Sequence, residues 1–209
     1  MPSLYLGGIC FITGAHPRLD AVGQAEAAFR GGIKCVQLRE KNAPRKKIYE
    51  EALRIKELAV KYGAALVVND YPDIAAASGA DGVHLGREDL PVKEARATFG
   101  GFIGASTHSM SEALQALEDG ADYIAFGPLF RTKTKDAGRP KGLARLARIK
   151  RAAGTVPVMA VGGITAENAE SVFSAGADAL AVSGGILSPE AGVLENSKKL
   201  AGIAKKCGA

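Results

Sequence analysis

The chain has 209 residues, with 47% hydrophobic and 23% charged side chains and no tryptophan, which suits one packed core and excludes a low-complexity or disordered protein. A formal charge of +5 favours an anionic partner, but the cations are dispersed and aromatics reach only 6%, which argues against a nucleic-acid-binding face. No apolar run approaches the length of a membrane span, and Cys10, Cys35 and Cys207 lack metal-ligand spacing, so a cytoplasmic protein in a reducing compartment is expected.

Short apolar runs recur along the chain. Strands are expected at residues 9–13, 36–38, 65–68, 82–85, 102–105, 123–126, 157–161 and 179–182. Helical periodicity falls between them, at 21–29, 48–61, 111–117 and 166–173, with Ser111 and Thr165 as expected caps. Three of the strands follow the same tripeptide: Gly79-Ala80-Asp81, Gly120-Ala121-Asp122 and Gly176-Ala177-Asp178. The glycine fits the left-handed residue that ends a helix, and an apolar run without polar alternation fits a parallel strand covered on both faces. Eight strands with helical segments between them predict an α/β protein, a (β/α)8 TIM barrel formed as one domain over residues 1–209. Cys10 and Cys35, inside strand runs, read as core filling.

In such a barrel, ligands meet the carboxyl ends of the strands. Asp70 and Asp89, after the third and fourth strands, offer the hard oxygen ligands that Mg2+ takes alongside substrate phosphate. As alternatives, Asp70 is a turn residue and Asp89 a helix cap ahead of Pro91. Gln37, Arg39 and Lys41 alternate with Leu38 and Glu40, which puts two cations and an amide on one side of an extended segment, a grip for a diphosphate. The polar loop 131–136 reads as a phosphate-gripping lid or as a plain surface loop. Gly162-Gly163 and Ser183-Gly184-Gly185 expose backbone amides where barrels commonly hold a phosphate. His84, within a strand, reads as a structural histidine, while His108 is better placed as a proton carrier.

Taken together, Phe11-Ile12-Thr13, Val36-Gln37-Leu38-Arg39-Glu40-Lys41, Asn69-Asp70, Asp81-Gly82-Val83-His84-Leu85-Gly86, Glu88-Asp89-Leu90-Pro91, Gly127-Pro128, Thr132 with Thr134-Lys135, and Gly162-Gly163-Ile164 resemble the thiamine phosphate synthase family over nearly the whole chain. The resemblance implies a transferase that joins an aminopyrimidine diphosphate to a thiazole phosphate and releases pyrophosphate. It implies that Gln37, Arg39, Lys41, Asn69 and Lys135 hold the diphosphate substrate, that Asp70 and Asp89 bind Mg2+, and that Ser106 approaches the pyrimidine. It assigns Thr132, Thr134, Gly163, Ser183 and Gly184 to the thiazole phosphate, with Ser106, Lys135, Arg39 and Lys41 nearest the chemistry. Small-molecule substrates are thus the expected partners, with no nucleic acid or membrane, and a homo-oligomer is left open. The chain departs from the family pattern at Gly14, where an acid is usual, at Arg87, where glutamine is frequent, and at Ser183-Gly184, where an apolar residue precedes the serine. A thiazole tautomerase on the same scaffold, using a histidine at the place of His108, and a non-catalytic phosphate-binding barrel are the rival readings.

Overall fold

The computed structural model describes residues 8–132, 138–188 and 192–209. Strands and helices alternate in the order β1 (Ile9–Ile12), α1 (Ala21–Arg30), β2 (Cys35–Leu38), α2 (Arg45–Tyr62), β3 (Ala65–Asn69), α3 (Pro72–Ser78), β4 (Gly82–Leu85), α4 (Val92–Ala95) and β5 (Phe102–Thr107). They continue as α5 (Met110–Glu118), β6 (Tyr123–Phe126), α6 (Leu143–Ala153), β7 (Val158–Val161), α7 (Ala169–Ser174), β8 (Ala179–Val182), α8 (Gly184–Leu187) and α9 (Gly192–Lys206). Each strand pairs in parallel with its neighbour, and β8 closes on β1, so Cys10 lies beside both Cys35 and Ala181. This is the (β/α)8 barrel expected from the repeats.

Strand alternation divides the core in two. Outward side chains such as Val36, Leu66, Val83, Ile103, Ile124 and Leu180 pack beneath the helices. Inward ones, Cys10, Cys35, Val67, Tyr123, Ala125, Met159, Ala179 and Ala181, fill the barrel. The interior depends on one small residue. A Cβ on Gly104 would lie 2.0 Å from the Tyr123 ring, so glycine in β5 is what lets that ring cross the barrel. Cys10 and Cys35, far apart in sequence, bring their sulfur atoms to 3.3 Å and are both buried free thiols.

The Gly-Ala-Asp repeats do more than end helices. Gly79 caps α3 in the left-handed conformation, and the aspartates then tie adjacent strands together at the amino end of the barrel. The N–H groups of Leu66, Ile103 and Val158 donate to the carboxylates of Asp81, Asp122 and Asp178 at 2.8, 2.7 and 2.7 Å. The N–H groups of the same aspartates donate back to the carbonyls of Leu66, Ile103 and Val158. Lys56, Arg96 and Lys150 each complete one of these clusters from a helix or the turn after one.

Two caps differ from expectation. The cap of α5 is Ser109, whose Oγ accepts from Glu112 N–H at 3.2 Å, while Ser111 lies within the first turn. Thr165 supplies α7 with its main-chain carbonyl, accepting from Ala169 N–H, and the helix starts at Ala169. The extra residues 165–168 form a turn in which Asn168 Oδ1 accepts from Thr165 N–H. Among the described residues, no helix is long and apolar enough to cross a membrane.

Candidate active site

The carboxyl ends of the strands enclose a cavity of about 380 Å³. Gln37, Arg39, Lys41, Asn69, Asp70, Asp89, Ser106, His108, Thr132, Gly163, Ser183 and Gly184 all line it. Barrel closure brings them together, since they stand at the ends of seven different strands. Thr134 and Lys135, and with them most of the loop read as a lid, lie outside the described residues.

On one side are the two aspartates. Asp70 follows β3 with φ 69°, the one non-glycine residue among those described with positive φ, a conformation that costs a residue with a side chain about 1–2 kcal/mol. Its N–H donates to His84 carbonyl at 2.9 Å, which continues the β3–β4 ladder and aims the carboxylate at the cavity rim. Burial, then a hydrogen bond and charge shared with Asp89, push the Asp70 carboxyl up to about 6, against the pull of Lys41 and Arg39. Asp89 is held by Gly86 N–H, which donates to its Oδ2 at 2.6 Å. The cap of α4 is Pro91, so Asp89 closes its own loop and does not cap the helix, correcting that alternative. The turn reading of Asp70 holds as geometry, with its carboxylate beside Asp89.

A carboxylate whose ionisation is hindered by a second one beside it makes a fitting pair for a divalent cation, and both are hard oxygen donors of the kind Mg2+ accepts. Among the described residues no group of three or more His, Cys, Asp and Glu side chains could hold a metal. A cation here would therefore complete its shell with ligand oxygens or water, as Mg2+ does in phosphate sites.

The cations stand next to the acids. Lys41 Nζ is 3.7 Å from Asp70 Oδ2, with its side chain 47% exposed. Lys41 is a solvated cation at the rim, because β2 stops at Leu38 and the chain turns outward. Gln37 points inward, its Nε2 donating to Asn69 Oδ1 at 2.6 Å. This bond orients two amides that a propensity reading of β2 and β3 could not have paired. Thr13 Oγ1 accepts from Arg39 N–H at 2.9 Å and fixes the turn that presents Arg39.

Across the cavity the wall is bare backbone. Gly162 and Gly163 have φ of 97° and 68°, and a Cβ on Gly163 would come within 2.4 Å of the Arg131 carbonyl. Glycine is required there on both counts. Gly184 opens α8, whose first turn is held by the Ser183 carbonyl. The Ser183 hydroxyl is buried without a hydrogen-bond partner among the described residues and sits on the Gly14 side, 3.5 Å from where a Cβ on that residue would be. Two of the departures from the family pattern thus face each other.

His108 is tethered by Glu112, whose Oε2 accepts from the His108 main-chain N–H at 2.7 Å and lies 3.1 Å from its Nδ1. Burial opposes ionisation of Glu112, but these bonds outweigh it and hold its carboxyl below the usual range. His84 is hydrogen-bonded as a structural histidine would be, and it also lines the cavity. Sequence reasoning missed Tyr123. The signal for Tyr123 was available in the strand period, since it stands two residues before the inward Ala125 in β6.

Comparison with known proteins agrees with this architecture. The family model described as thiamine monophosphate synthase matches residues 9–186. A thiamine-phosphate synthase of Gloeobacter violaceus is 44% identical over 181 residues, covering 86% of this chain and 52% of the relative's length. One from Chloroflexus aurantiacus is 48% identical over 75% of this chain and 73% of its own. The solved structure of thiamine phosphate pyrophosphorylase from Pyrococcus furiosus superposes with a TM-score of 0.87 at 35% identity, covering 97% of this chain and 99% of that one. A match that runs from β1 into α8 takes in every strand end described above, and on it the chain belongs to the thiamine monophosphate synthase family.

Proposed function

We propose that this protein condenses an aminopyrimidine diphosphate with a thiazole phosphate, forming thiamine phosphate and releasing pyrophosphate. The observation that carries the reading is one cavity with an acidic pair, two cations and a glycine-backbone wall facing each other, which suits two phosphorylated ligands at once. Family membership supports the same reaction.

In this reading Asp70 and Asp89 hold Mg2+, which supplies positive charge to the diphosphate oxygens. Arg39 and Lys41 contact the same oxygens, and Lys135 joins them by the resemblance alone. Gln37 and Asn69 fix the diphosphate end of the pyrimidine substrate, and Ser106 meets its ring. Gly163 and Gly184 offer main-chain N–H groups to the thiazole phosphate, with Thr132, Thr134 and Ser183 beside it. The Ser106–His84 pair in the cavity wall has the Tyr123 hydroxyl and not a carboxylate on its far side, unlike a Ser-His-Asp triad, which suits a step in which the C–O bond breaks first and its electron pair leaves with pyrophosphate. The thiazole nitrogen lone pair then forms the new C–N bond. A cytoplasmic setting accompanies the reading, matching the free thiols of Cys10 and Cys35.

The test is pyrophosphate release from the purified protein with both substrates, with and without Mg2+. Release that needs all three, with thiamine phosphate formed, supports the synthase. Thiazole isomerisation without pyrophosphate release would instead favour the tautomerase, for which the tethered His108 at the cavity is the relevant residue.

A further inference from the structure

A hydrogen-bond chain runs from the barrel interior to the cavity. The Tyr123 hydroxyl lies 3.1 Å from His84 Nδ1, and His84 Nε2 lies 2.9 Å from Ser106 Oγ. Tyr123 and His84 are 1% and 7% exposed, while Ser106 faces the cavity. The two rings overlap with centroids 5.7 Å apart, and Gly104 leaves the space that Tyr123 occupies.

The polarity of this chain follows from its buried end. Burial holds the Tyr123 phenol well above its ordinary range, so the hydroxyl keeps its proton. That proton needs an acceptor. Its hydrogen-bond partner is His84 Nδ1 at 3.1 Å; the Cys10 and Cys35 thiols pack in the same cluster, but sulfur accepts weakly, whereas the imidazole nitrogen accepts well. The phenol therefore donates to Nδ1, which places the ring proton on Nε2. Nε2–H donates to Ser106 Oγ, and the serine proton is directed away from His84, into the cavity.

We propose that Tyr123 and His84 are positioning residues that fix Ser106 as a hydrogen-bond donor, so the cavity selects a ligand atom bearing a lone pair at that point. Resting on the function proposed above, that atom is a ring nitrogen of the aminopyrimidine and not its amino group. A serine with an unconstrained hydroxyl would accept from the amino group equally well, so the chain converts an ambiguous contact into a selective one.

Two measurements test this. Nitrogen NMR of the ligand-free protein reads the imidazole directly: Nε2 protonated and Nδ1 unprotonated is the expected result, and a proton on Nδ1 at neutral pH would overturn the proposal. Tyr123→Phe keeps the ring over Gly104 and removes the donor. It is expected to shift the imidazole toward the other tautomer and to raise KM for the aminopyrimidine diphosphate about fivefold, the effect of one hydrogen bond, with kcat little changed. A Tyr123→Phe protein with unaltered tautomer and KM, even if less stable, would reduce the chain to a packing feature and overturn the proposal. His84→Gln, whose carbonyl can accept from Tyr123 and whose amide can donate to Ser106, should retain a lower KM than His84→Leu. Because the NMR result needs no substrate, an Nε2-protonated ring in a protein that releases no pyrophosphate would retain the chain and discard the substrate assignment.

Discussion

At the amino end of the barrel, Asp81, Asp122 and Asp178 are each surrounded by donors: a main-chain N–H from the neighbouring strand and a cation from the outer shell. At the carboxyl end, Asp70 and Asp89 face each other, one of them in a left-handed backbone conformation and with its carboxyl pushed up to about 6. The first arrangement satisfies a carboxylate and locks strands. The second sets two carboxylates against each other, with the half-exposed Lys41 paired to Asp70 at 3.7 Å, and keeps backbone strain in place. The same residue type thus locks strands where its partners are internal, and in the function proposed above it binds a ligand where they come from outside.

Substitutions at the two ends should separate these roles. Asp70→Ala and Asp89→Ala are expected to lower kcat/KM for pyrophosphate release about a hundredfold or more at limiting Mg2+, with melting temperature held or raised. Loss of stability with normal turnover would break the comparison. Gly104→Ala, which drives a methyl into the Tyr123 ring, should destabilise by about 3 kcal/mol in denaturant melts. Asp122→Ala removes a charge-assisted bond to Ile103 N–H and the Arg96 contact, with an expected cost of about 1–2 kcal/mol in the same melts and little change in KM.

The smallest effect is a pH dependence that sharpens the contrast. The Asp70 carboxyl holds its proton more tightly when folded, near pH 6, than at the ordinary value of 3.8. A raised folded value means that stability falls as pH rises from about 4 to 6 and that the loss is complete above 6. In metal-free buffer, Asp70→Asn should therefore melt higher than the parent at pH 7, with the gap closing toward pH 4. Added Mg2+ should narrow it for the parent alone, and the apparent Mg2+ affinity should weaken as pH falls through about 6.

Much of this was legible in the sequence because the repeats punctuate it. Each Gly-Ala-Asp marks a helix end and a strand start, and once eight strands are counted the barrel decides which residues meet, so Gln37 and Gly163 could be placed together without any contact information. The part that stayed hidden depends on partners distant in sequence. Asp81 reads as a turn residue until Leu66 and Lys56 are seen around it, and Cys10 and Cys35 read as separate core positions until β1 and β2 pair in register. Ser109 displaced Ser111 as a cap because helix starts shift by a residue or two with local chain direction, which no periodicity records. The exposure of Lys41 could not be read from its alternation with Leu38 and Glu40, because the chain leaves the sheet after Leu38.

The Tyr123 ring also has a mechanical meaning. Lying across the barrel over Gly104, and packed among Cys10, Cys35, Val67, Met159 and Ala179, it acts as a bulkhead, so the barrel is a cup and not a tube. With that ring 1% exposed, the interior below the ligand-binding cavity is filled by side chains and not by a channel.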